Sequence, residues 1–171
     1  MTTRERPVPA GNPGNAGDDL GPVLEFMKQL WALDHGLHTA SKRMKATYGI
    51  TGPQRLVVRF VGRSPGISAG ALAALLHIHP STLTGILRRL EARGVVQRRH
   101  DPKDARRALL GLTARGRHVD ALRIGTVEQA VRRVLARMPQ DVVATERILA
   151  ALTSELAVEE SEALGADPDG S

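Results

Sequence analysis

With 171 residues, 42% hydrophobic but only 2% aromatic, the chain suits one domain, or one domain with a helical extension, and a Leu/Val/Ile/Ala core that favours packed helices. Zero cysteines exclude disulfides, thiolate nucleophiles, thiolate metal ligands and cysteine redox sensing; with no apolar run of about 18 residues and no apolar N-terminal signal core, the expected location is the cytoplasm. The net charge of +6 is concentrated between Pro80 and His118, where ten Lys and Arg stand against three acids and leave the rest of the chain at −1.

Residues 1–17, rich in Pro, Gly and Asn, read as a flexible tail. Asp18 or Asp19 offers a cap, and Leu20, Val23, Leu24, Met27, Leu30, Trp31 and Leu37 recur at helical spacing up to Gly49. Thr51 caps a second helix with Leu56, Val57, Phe60 and Val61 on one face, broken at Ser64-Pro65-Gly66. Ser68 caps a short third helix. After His77-Ile78-His79, Pro80 opens a fourth, stopped by Gly94. The apolar period then changes to two, in a strand over 95–99 and another through Ala108, Leu110 and Leu112. Asp101-Pro102-Lys103-Asp104 is turn chemistry, so the pair is a hairpin with a charged tip. Thr113 caps a long fifth helix carrying Val119, Leu122, Val127, Val131, Val134 and Leu135 as far as Pro139, and a sixth carries Leu149, Leu152 and Leu156. Residues 165–171 form an acidic tail.

The fourth helix has two faces. Leu83, Ile86, Leu87 and Leu90 point inward, and Ser81, Thr84, Gly85 and Arg88 outward, flanked by Thr82 and Arg89. Short side chains at the N-terminal end let such a helix approach base edges, and arginines further along reach guanine or phosphate. The same pattern also describes an ordinary solvated helix. The hairpin adds Arg98, Arg99, Lys103, Arg106 and Arg107. A wing of this charge can follow the DNA backbone and insert an arginine into a narrow minor groove, and Asp104 is placed to orient Arg106. A hairpin so charged can also simply keep a sheet edge soluble.

The stretch from Gly49 to Gly116 resembles the MarR (multiple antibiotic resistance regulator) family of transcription regulators. The matching words are Gly49-Ile50-Thr51-Gly52-Pro53-Gln54, Leu72-Ala73, Ser81-Thr82-Leu83-Thr84, Leu90-Glu91-Ala92-Arg93-Gly94-Val95-Val96, Asp101-Pro102-Lys103-Asp104-Ala105-Arg106-Arg107 and Leu112-Thr113-Ala114-Arg115-Gly116. The resemblance implies a mostly α fold with a small β-hairpin wing. A winged helix-turn-helix DNA-binding lobe at 49–112 would be joined to a helical dimerisation region at 18–48 and 113–164. It implies a homodimer on double-stranded DNA, with Arg106 in the minor groove, Asp104 as its partner, and Ser81, Thr82 and Thr84 against DNA. Gly85 stands where relatives often carry Arg, and His77 and His79 where they often carry Gly and Ser or Asp, so base contacts are expected to move to Arg88 and Arg89.

The resemblance also implies a cleft for a small anionic aromatic effector, lined from the first, second and fifth helices. Trp31 could stack a ring, and His35, His38, Arg55 and Arg59 could pair with a carboxylate; singly, each also suits an ordinary core or surface role. No cofactor is expected, and without cysteine or a His/Glu cluster at ligand spacing neither is a metal site. No catalytic motif is present, so the chain is not read as an enzyme. The expected function is a sequence-specific repressor on a near-palindromic operator; the rival is an architectural protein that coats any duplex.

Overall fold

The computed structural model describes residues 21–101 and 104–165, with side chains at 21–100 and 108–159. The tail expected at 1–17 lies outside these residues, as does the acidic tail beyond Gly165. Helix α1 spans Gly21–Tyr48, α2 Gly52–Arg63, α3 Ala69–Leu76 and α4 Pro80–Ala92. Strands β1 (Val96–Asp101) and β2 (Asp104–Leu112) follow, then α5 (Ala114–Ala121), α6 (Val127–Arg137), a 3₁₀ turn (Pro139–Asp141) and α7 (Val142–Gly165).

Local chemistry sets these boundaries. Gly49 adopts φ +68°, which ends α1. Thr51 and Gln54 form a reciprocal capping box at the start of α2, satisfying two helix donors at once. Ser68 accepts from Ala71 N–H to cap α3. His77 closes α3 in the left-handed region at φ +50°, its N–H turned back to the Ala73 and Ala74 carbonyls. Helices α3 and α4 therefore meet across a short turn at 116°, the bend of a helix-turn-helix.

The core lies where α2, α3, α4, α5 and the hairpin base converge. Val57, Val58 and Val61 come from α2, Leu72 and Ala73 from α3, and Leu83, Leu87 and Leu90 from α4; Val96 and Leu110 close it from the sheet. Each fully buried Leu contributes about 1.5–3 kcal/mol by leaving water. The expected inner face of α4 is observed, with Ile86 half-buried at its edge. On α2 the apolar face is rotated: Leu56, expected inside, is 45% exposed, and Val58 takes its place.

The hairpin is antiparallel, pairing Val96 with Leu112 and Arg98 with Leu110. Its second strand also bonds to the α2–α3 connection, through Leu110 N–H to Ile67 O and Gly66 N–H to Leu110 O. The wing is thus fastened to the helical lobe along its β2 edge.

The expected long fifth helix is instead two, with a break at 122–126. Leu122 turns extended, Gly125 takes φ +70° and Thr126 begins α6. The break has specific partners. Tyr48 Oη donates to the Ile124 carbonyl at 2.9 Å. Arg55, only 3% exposed, donates to the carbonyls of Val119, Asp120 and Leu122, and from Nε to Glu128 at 2.9 Å. These are carbonyls that a continuing helix would have used for itself. Apolar periodicity continues through the break, so it did not reveal it.

Helices α1, α6 and α7 are different in kind. Met44 is the buried residue of α1, while Leu24, Trp31 and Leu33 are more than half exposed. Val131, Val134 and Leu135 of α6 and Ile148, Leu149 and Leu156 of α7 are likewise exposed. Among the described residues no single helix is long and apolar enough to cross a membrane.

Candidate nucleic-acid interface

Helix α4 presents Ser81, Thr82, Thr84, Arg88 and Arg89 on its exposed surface. His79 caps its start, its Nδ1 accepting Ser81 N–H at 3.3 Å with Ser81 Oγ 2.7 Å away. Pro80 occupies the first helical position, where a missing N–H costs nothing. Thr84 Oγ1 donates to the Pro80 carbonyl at 2.8 Å. Gly85 has open space around it: a Cβ there would meet nothing within 4 Å. Among the described residues, neither Arg88 nor Arg89 has an internal hydrogen bond or ion pair. The outer row runs from small hydroxyl groups to two uncommitted guanidiniums within one 13-residue helix.

The wing begins directly behind α4. Gly94, at φ +63°, lets the chain reverse, and Thr113 holds the base by donating to the Gly94 carbonyl at 2.6 Å. Thr113 also caps α5 by accepting Gly116 N–H. Strand alternation separates two expected phosphate contacts. Arg98 shares a face with buried Val96 and Leu110, and its Nε pairs with Glu91 of α4. Arg99 points to the other face, into a groove it lines with Gln97, Leu109 and Arg117. The two arginines therefore do not form one patch. Lys103 lies outside the described residues; Asp104, Arg106 and Arg107 lie on β2, with their side chains outside the description.

Not all of the basic stripe is free of internal partners. Arg93 donates to the Gly49 carbonyl, tying the end of α4 to the end of α1, and Arg117 donates to the Leu112 carbonyl. Composition alone could not separate these from cations without an internal partner. Their positions beside glycine turns and a cap were the available hint.

The expected effector residues are not brought together. Trp31, His35 and His38 are exposed on α1, with His38 beside Asp34 at 3.1 Å. Arg55 and Arg59 instead line a cleft of about 160 Å³ with Leu122, Arg123, Thr126, Glu128, Gln129 and Arg132. Arg55 directs its bonds inward, to three carbonyls and Glu128. Arg59 pairs with Asp120 at 2.7 Å. Arg123 and Arg132, missed in the sequence, enter the cleft because the break redirects the chain. Among the described residues no three His, Asp or Glu gather in a way that could hold a metal ion.

The model of the MarR family matches residues 48–107. The transcriptional regulator HosA of Escherichia coli O111:H- is 37% identical over 89 residues, 52% of this chain and 66% of that protein, so the match spans just under two thirds of the relative. In structure the chain is similar to a mutant MarR from E. coli complexed with operator DNA, at TM-score 0.62 and 21% identity, covering 80% of this chain and 99% of that one. It is also similar to the PcaV regulator of Streptomyces coelicolor in complex with its natural ligand, at TM-score 0.61 and 24% identity, covering 84% and 99%. The sequence over residues 48–107 thus matches the MarR family model, and the described chain shares the winged helix-turn-helix fold of these regulators.

Proposed function

We propose that the protein is a non-enzymatic, sequence-specific transcription regulator that binds a near-palindromic operator as a homodimer. The observation that carries this reading is α4. Its inner leucines are fully buried, while its outer row offers small hydroxyl groups and uncommitted Arg88 and Arg89 next to a basic hairpin. A rigidly seated helix with such a row is what major-groove reading requires. The operator complex of the similar MarR structure supports the same use of this fold.

Dimerisation is supported by the apolar faces of α1, α6 and α7, which this chain leaves uncovered. Two lobes would then place two α4 helices in successive major grooves, about 10 bp apart. Phosphate contacts from Arg99, Lys103 and Arg107 would carry much of the affinity and its salt dependence. Arg106, oriented by Asp104, would enter the minor groove. Arg98, tied to Glu91, would contact phosphate through its remaining N–H groups. A dimer seated on promoter DNA blocks access to it, so repression is the expected outcome.

PcaV carries a ligand in its complex, and a small anionic aromatic effector fits the present chain at the cationic cleft of Arg59, Arg123 and Arg132. Trp31, His35 and His38 would join it only where the partner subunit completes the site. Enrichment of duplexes from a random library tests the central reading. A recovered site with two related half-sites supports specific reading, and a pool that stays random through successive rounds favours the architectural alternative.

A further inference from the structure

Two hydroxyl groups on the outer face of α4, those of Ser81 and Thr84, turn their protons inside the protein. Thr84 Oγ1 donates to the Pro80 carbonyl. At Ser81, the backbone N–H reaches His79 Nδ1. A backbone N–H can only donate, so Nδ1 is the unprotonated ring nitrogen, and Ser81 Oγ, 2.7 Å from it, donates to it as well. Both side chains are exposed, and Gly85 adds no side chain that could cover Thr84. Along the Ser81–Thr84–Arg88 row the first two turns therefore offer a methyl group and oxygen lone pairs. The first available donor in the row is Arg88.

This selects among base edges. In the major groove thymine alone carries a methyl, adenine N6 and cytosine N4 are donors, and guanine presents only acceptors. We propose that Thr84 reads a thymine methyl, so that the pair it faces in each half-site is A·T, with the Ser81 and Thr84 oxygens accepting from the adenine amino group and guanine left to Arg88. The inference rests on the DNA-binding reading above and specifies its chemistry at one position.

The experiment crosses protein and DNA changes. Wild-type protein, Thr84→Ser (hydroxyl kept, methyl lost) and Thr84→Val (methyl kept, hydroxyl lost) are titrated by anisotropy against the selected operator, the same operator with single thymines replaced by deoxyuridine, and a scrambled duplex. Thr84 is exposed, so all three proteins should melt alike, which circular dichroism checks. The expected result is one thymine per half-site whose replacement weakens wild type and Thr84→Val about fourfold, the value of one buried methyl, and leaves Thr84→Ser unchanged. Uridine tolerated everywhere by wild type, or sensitivity that survives in Thr84→Ser, overturns the assignment while specific binding still stands. Equal binding of wild type to operator and scrambled duplex overturns the DNA reading itself, and this inference with it.

Discussion

Arg55 of α2 and Glu128 of α6 form an ion pair at 2.9 Å across the break that separates α5 from α6. The same guanidinium closes the C-terminal end of α5 through the Val119, Asp120 and Leu122 carbonyls. One side chain of the DNA-binding lobe thus holds both sides of the connection to the outer helices. Arg55→Met keeps the apolar stem and removes the donors, leaving Glu128 and the Asp120 carbonyl to Arg59 alone and the Val119 and Leu122 carbonyls without this guanidinium. Urea unfolding should show a loss of about 2–4 kcal/mol, with part recovered in the Arg55→Met/Glu128→Met double variant. A loss below about 0.5 kcal/mol would mean the pin is not structural.

Gly116 explains the end of the Leu-Thr-x-x-Gly word. A Cβ there would sit 2.1 Å from the Val95 carbonyl oxygen, a backbone atom that cannot step aside. Gly116→Ala should therefore cost about 1–3 kcal/mol or more by forcing α5 away from the wing base. Gly70, exposed in α3 with open space, serves as the opposite case: Gly70→Ala should stabilise by about 0.5–1 kcal/mol. Thermal melts of the two variants moving in the same direction would contradict the packing account.

These cases show what a sequence reader could and could not see. The caps at Thr51, Ser68 and Thr113, the proline at position 80 and the glycine turn at 94 each act within a few residues, so their local pattern was legible. The inner row of α4 was legible because one period spans the whole helix. The break at 122–126 was not, since it depends on Arg55 and Tyr48, each distant along the chain. Leu56 and Val58 were exchanged because neighbouring apolar residues leave the angle of the buried face undecided. Arg98 and Arg99 read as a pair, whereas strand alternation sends them to opposite faces.

The exposed apolar faces of α1, α6 and α7 predict a dimer. Sedimentation should give a species of about twice 18.4 kDa. Leu149→Glu, at a residue 42% exposed on α7, should shift it toward monomer without melting the DNA-binding lobe. A wild-type monomer at micromolar concentration would remove the proposed arrangement of half-sites.

Arg88→Ala and Arg106→Ala should each weaken operator binding by about 1–3 kcal/mol in folded protein. Arg88→Ala should relax preference at one base pair. Arg106→Ala should instead act where the flanking minor groove is narrow. Unchanged affinity in either variant strikes that arginine from the contact set.

The most direct test of sequence-specific reading is fluorescence anisotropy with labelled DNA from upstream of the protein's own gene, against a scrambled duplex of equal length at two salt concentrations. The account predicts tighter binding to the native fragment by about a thousandfold or more, with the preference kept at the higher salt. Equal binding to both duplexes, collapsing together as salt rises, would contradict it.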